Sequence, residues 1–132
     1  MSMEKGILCI GSNYRRKENL ALAREHLMEL FPNIRFSTEQ ETLPVGIKSQ
    51  AMFSNQIGFF FSHLKEERIK VELKNIEKKA GRCLKDQEKG IIALDIDLLL
   101  FHHRILKPQD MKREYVIKGI KEIFKTETKE TL

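Results

Sequence analysis

At 132 residues, with 41% hydrophobic and 33% charged residues, the chain has the make-up of one ordinary folded domain with room for a real core. Its net charge of +5 would suit nucleic acid, acidic membranes or phosphorylated small molecules, but the lysines are spread out and no dense basic block appears. No apolar run reaches the roughly 20 residues of a membrane span.

The first apolar run, residues 7–10, is far too short for a signal peptide, and a reduced cytoplasm is the expected compartment. Cys9 and Cys83 have neither metal nor redox spacing, and both suit packing as small apolar residues. Residues 6–10 read as a first strand, apolar on both faces and therefore central, which Gly11-Ser12-Asn13 breaks. Leu20, Ala23, Leu27 and Leu30 follow helical spacing, and Pro32-Asn33 closes that helix.

Residues 34–42 are expected as a second strand, followed by a loop shaped by Pro44 and Gly46. Residues 52–61 read as a third strand, with Phe53, Asn55, Ile57, Phe59 and Phe61 on one face. Asn55 is polar among apolar neighbours and needs a hydrogen-bond partner from the protein or a ligand. A second helix over residues 65–79 carries Ile69, Leu73, Ile76 and Ala80 as its stripe and ends at Gly81. Residues 82–90 are polar and look flexible.

The run Ile91-Ile92-Ala93-Leu94-Asp95-Ile96-Asp97-Leu98-Leu99-Leu100-Phe101 then reads as a buried strand containing two acids. Side chains alternate along a strand, so Asp95 and Asp97 share one face while Leu94, Ile96, Leu98 and Leu100 take the other. Two neighbouring carboxylates repel each other unless a cation lies between them, and hard oxygen ligands suit Mg²⁺. The alternative is a buried structural acid couple. Lys107-Pro108-Gln109-Asp110 is expected as a turn, residues 113–124 as a final helix or irregular segment, and residues 125–132 as a frayed polar tail. The order strand-helix-strand-strand-helix-strand gives the fold class: α+β, a ferredoxin-like βαββαβ sandwich with an antiparallel sheet and helices on one face, as a single domain over residues 1–132.

Several motifs stand in a specific order: Ile10-Gly11-Ser12-Asn13, Thr42-Leu43-Pro44-Val45-Gly46, Phe53-Ser54-Asn55, Ile76-Glu77, Gly81-Arg82, the Asp95-Ile96-Asp97 strand, and Met111-Lys112-Arg113-Glu114-Tyr115-Val116. Together they resemble the 6-hydroxymethyl-7,8-dihydropterin pyrophosphokinase family of the folate pathway. The resemblance implies transfer of pyrophosphate from ATP to the hydroxymethyl group of a reduced pterin. ATP and that pterin are the implied partners of a monomer or weak dimer, with no nucleic acid and no membrane.

It further implies that Asp95 and Asp97 hold two Mg²⁺ ions and that Arg82 joins them as a catalytic group. On the pterin side stand Thr42, Pro44, Val45 and Asn55, with Phe53 and Tyr115 as the aromatics that sandwich the ring. On the strand pattern alone, Phe53 is equally a core residue. Glu77, Lys85 and Arg113 match ATP positions, where solvated surface charges are the other reading. His102 and His103 match nothing in the family and are expected exposed.

The departures lie in the phosphate-binding loops. Ile92 and Leu84 stand where the family has arginine, and the family's Pro-His-Pro is reduced to Pro108-Gln109-Asp110. An arginine at such a position contributes bidentate, permanently charged phosphate contacts. A homologue that binds pterin or nucleotide without turnover is therefore the second reading. The third is a ferredoxin-like nucleic-acid-binding module, against which stand the missing Gly-Phe/Tyr pattern and an acidic strand that repels phosphate.

Overall fold

A computed structural model describes residues 2–44 and 51–131, with side chains described as far as Lys125. In chain order the elements are β1 (Glu4–Ser12), α1 (Arg16–Leu30), β2 (Arg35–Phe36), β3 (Gln40–Thr42), β4 (Phe53–Ser62), α2 (Glu66–Lys79), α3 (Leu84–Glu88), β5 (Asp95–Phe101), β6 (Arg104–Ile105), α4 (Pro108–Met111) and α5 (Glu114–Thr131). The sheet order is β2-β4-β1-β5-β6, with β3 also on β4, and every pairing is antiparallel. This is the ferredoxin-like α+β fold expected from the element order.

β1 is central, flanked by β4 and β5, as its two apolar faces require. It runs on to Ser12, so Gly11 and Ser12 belong to the strand rather than to the turn after it. The expected second strand is two short pieces, β2 and β3, each paired with a different part of β4.

On one face, Leu8, Ile10, Phe60, Ile96 and Leu98 pack against Leu20, Ala23 and Leu27 of α1 and Ile69, Leu73 and Ile76 of α2. Each such aliphatic side chain contributes about 1.5–3 kcal/mol by leaving water. Phe31 stacks on Phe60 with ring centroids 3.9 Å apart, closing the far end of this layer. The opposite face carries Ile7, Cys9, Ile57, Phe59 and Leu99, covered by Val116 and Ile123 of α5. The two helices of the βαββαβ unit thus share one face, and the C-terminal helix adds a cover on the other.

One expectation about β5 fails. The β1–β5 register shifts between Ile7 and Leu8, so that Leu8 faces Leu98 while Ile7 faces Leu100. The extra residue is a β-bulge, which breaks the two-residue alternation. Leu100 therefore packs with the α5-side cluster, and Phe101 takes the place expected for it in the core under α1 and α2. The bulge lies beyond the aspartates, and the strict alternation holds across Asp95, Ile96, Asp97 and Leu98.

The connections are also more ordered than their polarity suggested. α3 forms within the 82–90 stretch, and Lys107-Pro108 opens α4, with Pro108 in the first helical turn where its missing N–H costs nothing. α5 continues through most of the segment read as a polar tail. Among the described residues, no helix is long and apolar enough to cross a membrane.

Candidate active site

Between β1, β3, β5 and the start of α5 lies a cavity of about 480 Å³. Thr42, Phe53, Asn55, Asp95, Asp97, Arg113 and Tyr115 all line it, so residues from five elements or connections converge on one space. Pairing explains the convergence: Gly11 stands between Asn55 on β4 and Asp95 on β5, and Thr42 stands opposite Phe53.

The wall formed by β3 and β4 is polar at one point. Asn55 is buried and donates through Nδ2 to the Thr42 hydroxyl at 2.5 Å. Gly11 makes room for it, since a Cβ there would lie 3.2 Å from Asn55 Oδ1. Gln40, opposite Asn55 in the register, donates to the Tyr115 carbonyl at 2.9 Å and ties β3 to α5. Phe53 and Tyr115 are both half-buried and both line the cavity. Burial, followed by the proximity of Cys9, pushes the Tyr115 hydroxyl well above the ordinary phenol range.

The β5 wall is acidic. Burial, then the hydrogen bond and charge of Asp95, push the Asp97 carboxyl up to about 7, while Lys107 acts in the opposite direction. Asp95 is held differently, its Oδ1 accepting from Arg82 Nη1 at 2.7 Å. Arg82 is placed by the end of α2: Gly81 adopts φ +89°, the left-handed conformation that stops a helix, and the chain turns toward β5. Burial works against the Arg82 charge, but Asp95 and then Glu77 more than compensate.

These residues suit a hard divalent cation. Two carboxylate side chains face one cavity, and burial first, then the neighbouring Asp95, raises Asp97 to about 7, so that added positive charge there would favour its ionised form. Among the described residues no group of three or more His, Cys, Asp or Glu side chains could hold a metal. A cation on this pair would therefore complete its shell with water or substrate oxygens, as Mg²⁺ does.

Other expected residues fall elsewhere. Pro44 is half-buried but does not line the cavity, and Val45 lies outside the described residues. Lys85 is exposed on α3. Glu77 is buried on the opposite side of β5 from the cavity, where it accepts the Ile96 N–H at 2.8 Å. His102 and His103 are exposed, as expected, with His102 hydrogen-bonded to Glu4.

Several lining residues were not foreseen. Asp110 accepts from Arg113 Nε at 3.0 Å and fixes that guanidinium at the cavity edge. The i,i+3 spacing of this acid and base was the available signal. Cys9 lines the floor opposite Asp97 in the register; its parity with Gly11 along β1 would have found it. Burial and the nearby carboxylates push its thiol far above the usual range, so it stays protonated. Asn13 acts as a staple: it accepts the Ile92 N–H at 2.7 Å and donates to the Gly90 carbonyl at 2.7 Å. That staple presents Ile92, an apolar side chain, to the cavity.

A family model described as 7,8-dihydro-6-hydroxymethylpterin-pyrophosphokinase matches residues 7–125, which include every cavity-lining residue. No individual curated protein is similar enough to the chain to match it.

Proposed function

The chain belongs to the 7,8-dihydro-6-hydroxymethylpterin-pyrophosphokinase family, and from that premise we propose that it transfers pyrophosphate from ATP to 6-hydroxymethyl-7,8-dihydropterin. The hydroxymethyl oxygen attacks the β-phosphorus, the bond from that phosphorus to the α-phosphate bridging oxygen breaks, AMP leaves, and the hydroxyl proton is released. The substrate supplies the nucleophile, so the protein's work is positioning and charge neutralisation.

One observation carries this reading: a polar amide and two aromatic faces share a single cavity with a carboxylate pair. Asn55 and Thr42 would meet the donor and acceptor edge of the pterin, with Phe53 and Tyr115 flanking the flat ring. Pro44 and Val45 are assigned to the pterin loop on the family pattern alone. Asp95 and Asp97 would hold two Mg²⁺ ions, which supply Lewis-acid neutralisation of the phosphate charge. Arg113, fixed by Asp110 at the cavity edge, would meet the phosphates, and Arg82 holds Asp95 in place. Lys85 is assigned to the nucleotide side on the family pattern alone.

Formation of the pterin diphosphate ester from ATP, Mg²⁺ and the reduced pterin tests the reading. A second reading, ligand binding without turnover, is favoured by Ile92 facing the cavity where a phosphate-binding arginine would serve. Calorimetric titration with the pterin and with a non-hydrolysable ATP analogue separates the two. Binding of both ligands without ester formation selects the second.

A further inference from the structure

β5 is covered unevenly. β1 pairs along its inner edge from Asp95 to Phe101, but on the outer edge β6 reaches only Leu100 and Phe101. Among the described residues, the aspartate end of the strand thus has no strand on its outer side, where an edge N–H would ordinarily meet water. Glu77 fills that position. It projects from the last turns of α2, is only 6% exposed, and accepts the N–H of Ile96, the residue between the two aspartates, at 2.8 Å.

The same carboxylate oxygen lies 3.3 Å from Arg82 Nη1. That nitrogen also donates to Asp95 Oδ1 at 2.7 Å and to the Leu94 carbonyl at 3.3 Å. Arg82 reaches further through Nη2 to Gln87 of α3 at 3.1 Å. One buried acid therefore holds the strand backbone directly and one of its two cavity-facing carboxylates through a shared guanidinium. Removing a buried charge from such a set leaves its partners unsatisfied.

We infer that Glu77 is a positioning residue that fixes the Asp95–Ile96–Asp97 segment from behind the sheet, not a group that touches nucleotide. This rests on the functional reading above for what the aspartates bind, but the brace itself is independent of any ligand. A side chain that orients metal-binding carboxylates typically governs about 10- to 100-fold in metal affinity.

The test uses Glu77→Leu, which removes the acceptor, and Glu77→Gln, which keeps an uncharged one. In the ligand-free protein, amide hydrogen exchange at Ile96 should rise in both variants, more in leucine, while the amides of the β1–β4 ladder keep their protection. With a non-hydrolysable ATP analogue present, Mn²⁺ binding should weaken about 10- to 100-fold in Glu77→Leu and less in Glu77→Gln. Affinity for the analogue without metal should stay at the parent value in both.

Unchanged Ile96 exchange in Glu77→Gln overturns the inference, and so does a loss of metal-free analogue affinity with Mn²⁺ affinity retained. If the leucine variant does not fold, the glutamine variant alone decides by the same two readouts. A parent protein that binds neither Mn²⁺ nor the analogue defeats the functional reading; exchange at Ile96 then decides the brace by itself.

Discussion

The Asn55 amide donates to the Thr42 hydroxyl at 2.5 Å, across a ladder that joins β3 to the middle of the sheet. The bond orients a buried amide into a cavity otherwise walled on that side by Phe53 and Leu43. Asn55→Ala removes the only buried side-chain amide among the described residues lining that cavity. It should weaken pterin binding about 10- to 100-fold, the effect of leaving a ligand's polar edge unpaired. Fluorescence titration with the pterin measures this, and Thr42→Val should produce a smaller loss in the same direction.

Gly11 gives a more local check on the same geometry. A methyl group there would lie 3.2 Å from Asn55 Oδ1, close enough to displace the amide but not the strand. Gly11→Ala is expected to lower pterin affinity about 10-fold, as for one impaired hydrogen bond, while the melting temperature moves little. A large stability loss with affinity intact would place the role of Gly11 in packing.

The carboxylate pair predicts a pH dependence in the ligand-free protein. Burial and the neighbouring Asp95 push the Asp97 carboxyl in the folded chain up to about 7, well above the ordinary aspartate range. A raised folded-state value means the contribution to stability is fully present below about pH 4 and is lost as pH rises through about 7. Denaturant midpoints should therefore fall between pH 5 and pH 8, and Asp97→Asn should flatten this part of the profile. Mg²⁺ with an ATP analogue should restore the midpoint at pH 8, with proton release on binding visible by calorimetry in buffers of different ionisation heat.

Ile92 is a natural site for gain of function. Its backbone is fastened by Asn13 at both the N–H and the carbonyl, and its side chain lines the cavity. Ile92→Arg should raise affinity for the triphosphate about 10-fold, the value of one charge-assisted contact. An Asn13→Ala background should weaken that gain, because the loop that aims position 92 would lose its staple.

The central place of β1, the ferredoxin-like element order and the two-acid strand were legible because apolar runs and turn residues report on them directly. Strand alternation puts Asp95 and Asp97 on one shared face, and that face is the cavity. What stayed hidden depends on tertiary pairing. The bulge that turns Leu100 away from its expected neighbours leaves no mark in a run of leucines, since every residue there is apolar. The burial of Glu77 was hidden for a related reason: an acid beside a helix's apolar stripe reads as a surface charge until β5 is laid across it. Asp110 and Cys9 joined the site only when α4 and the floor of β1 were brought against β5.

Release of AMP from ATP tests the central claim most directly, measured with Mg²⁺ in the presence and absence of 6-hydroxymethyl-7,8-dihydropterin. Pterin-dependent AMP formation matched one-for-one by the pterin diphosphate ester is expected, with a loss of about 10²-fold or more in Asp97→Asn, as for a ligand of a catalytic metal. No AMP from a protein that binds both substrates, or the same rate in Asp97→Asn, would contradict it.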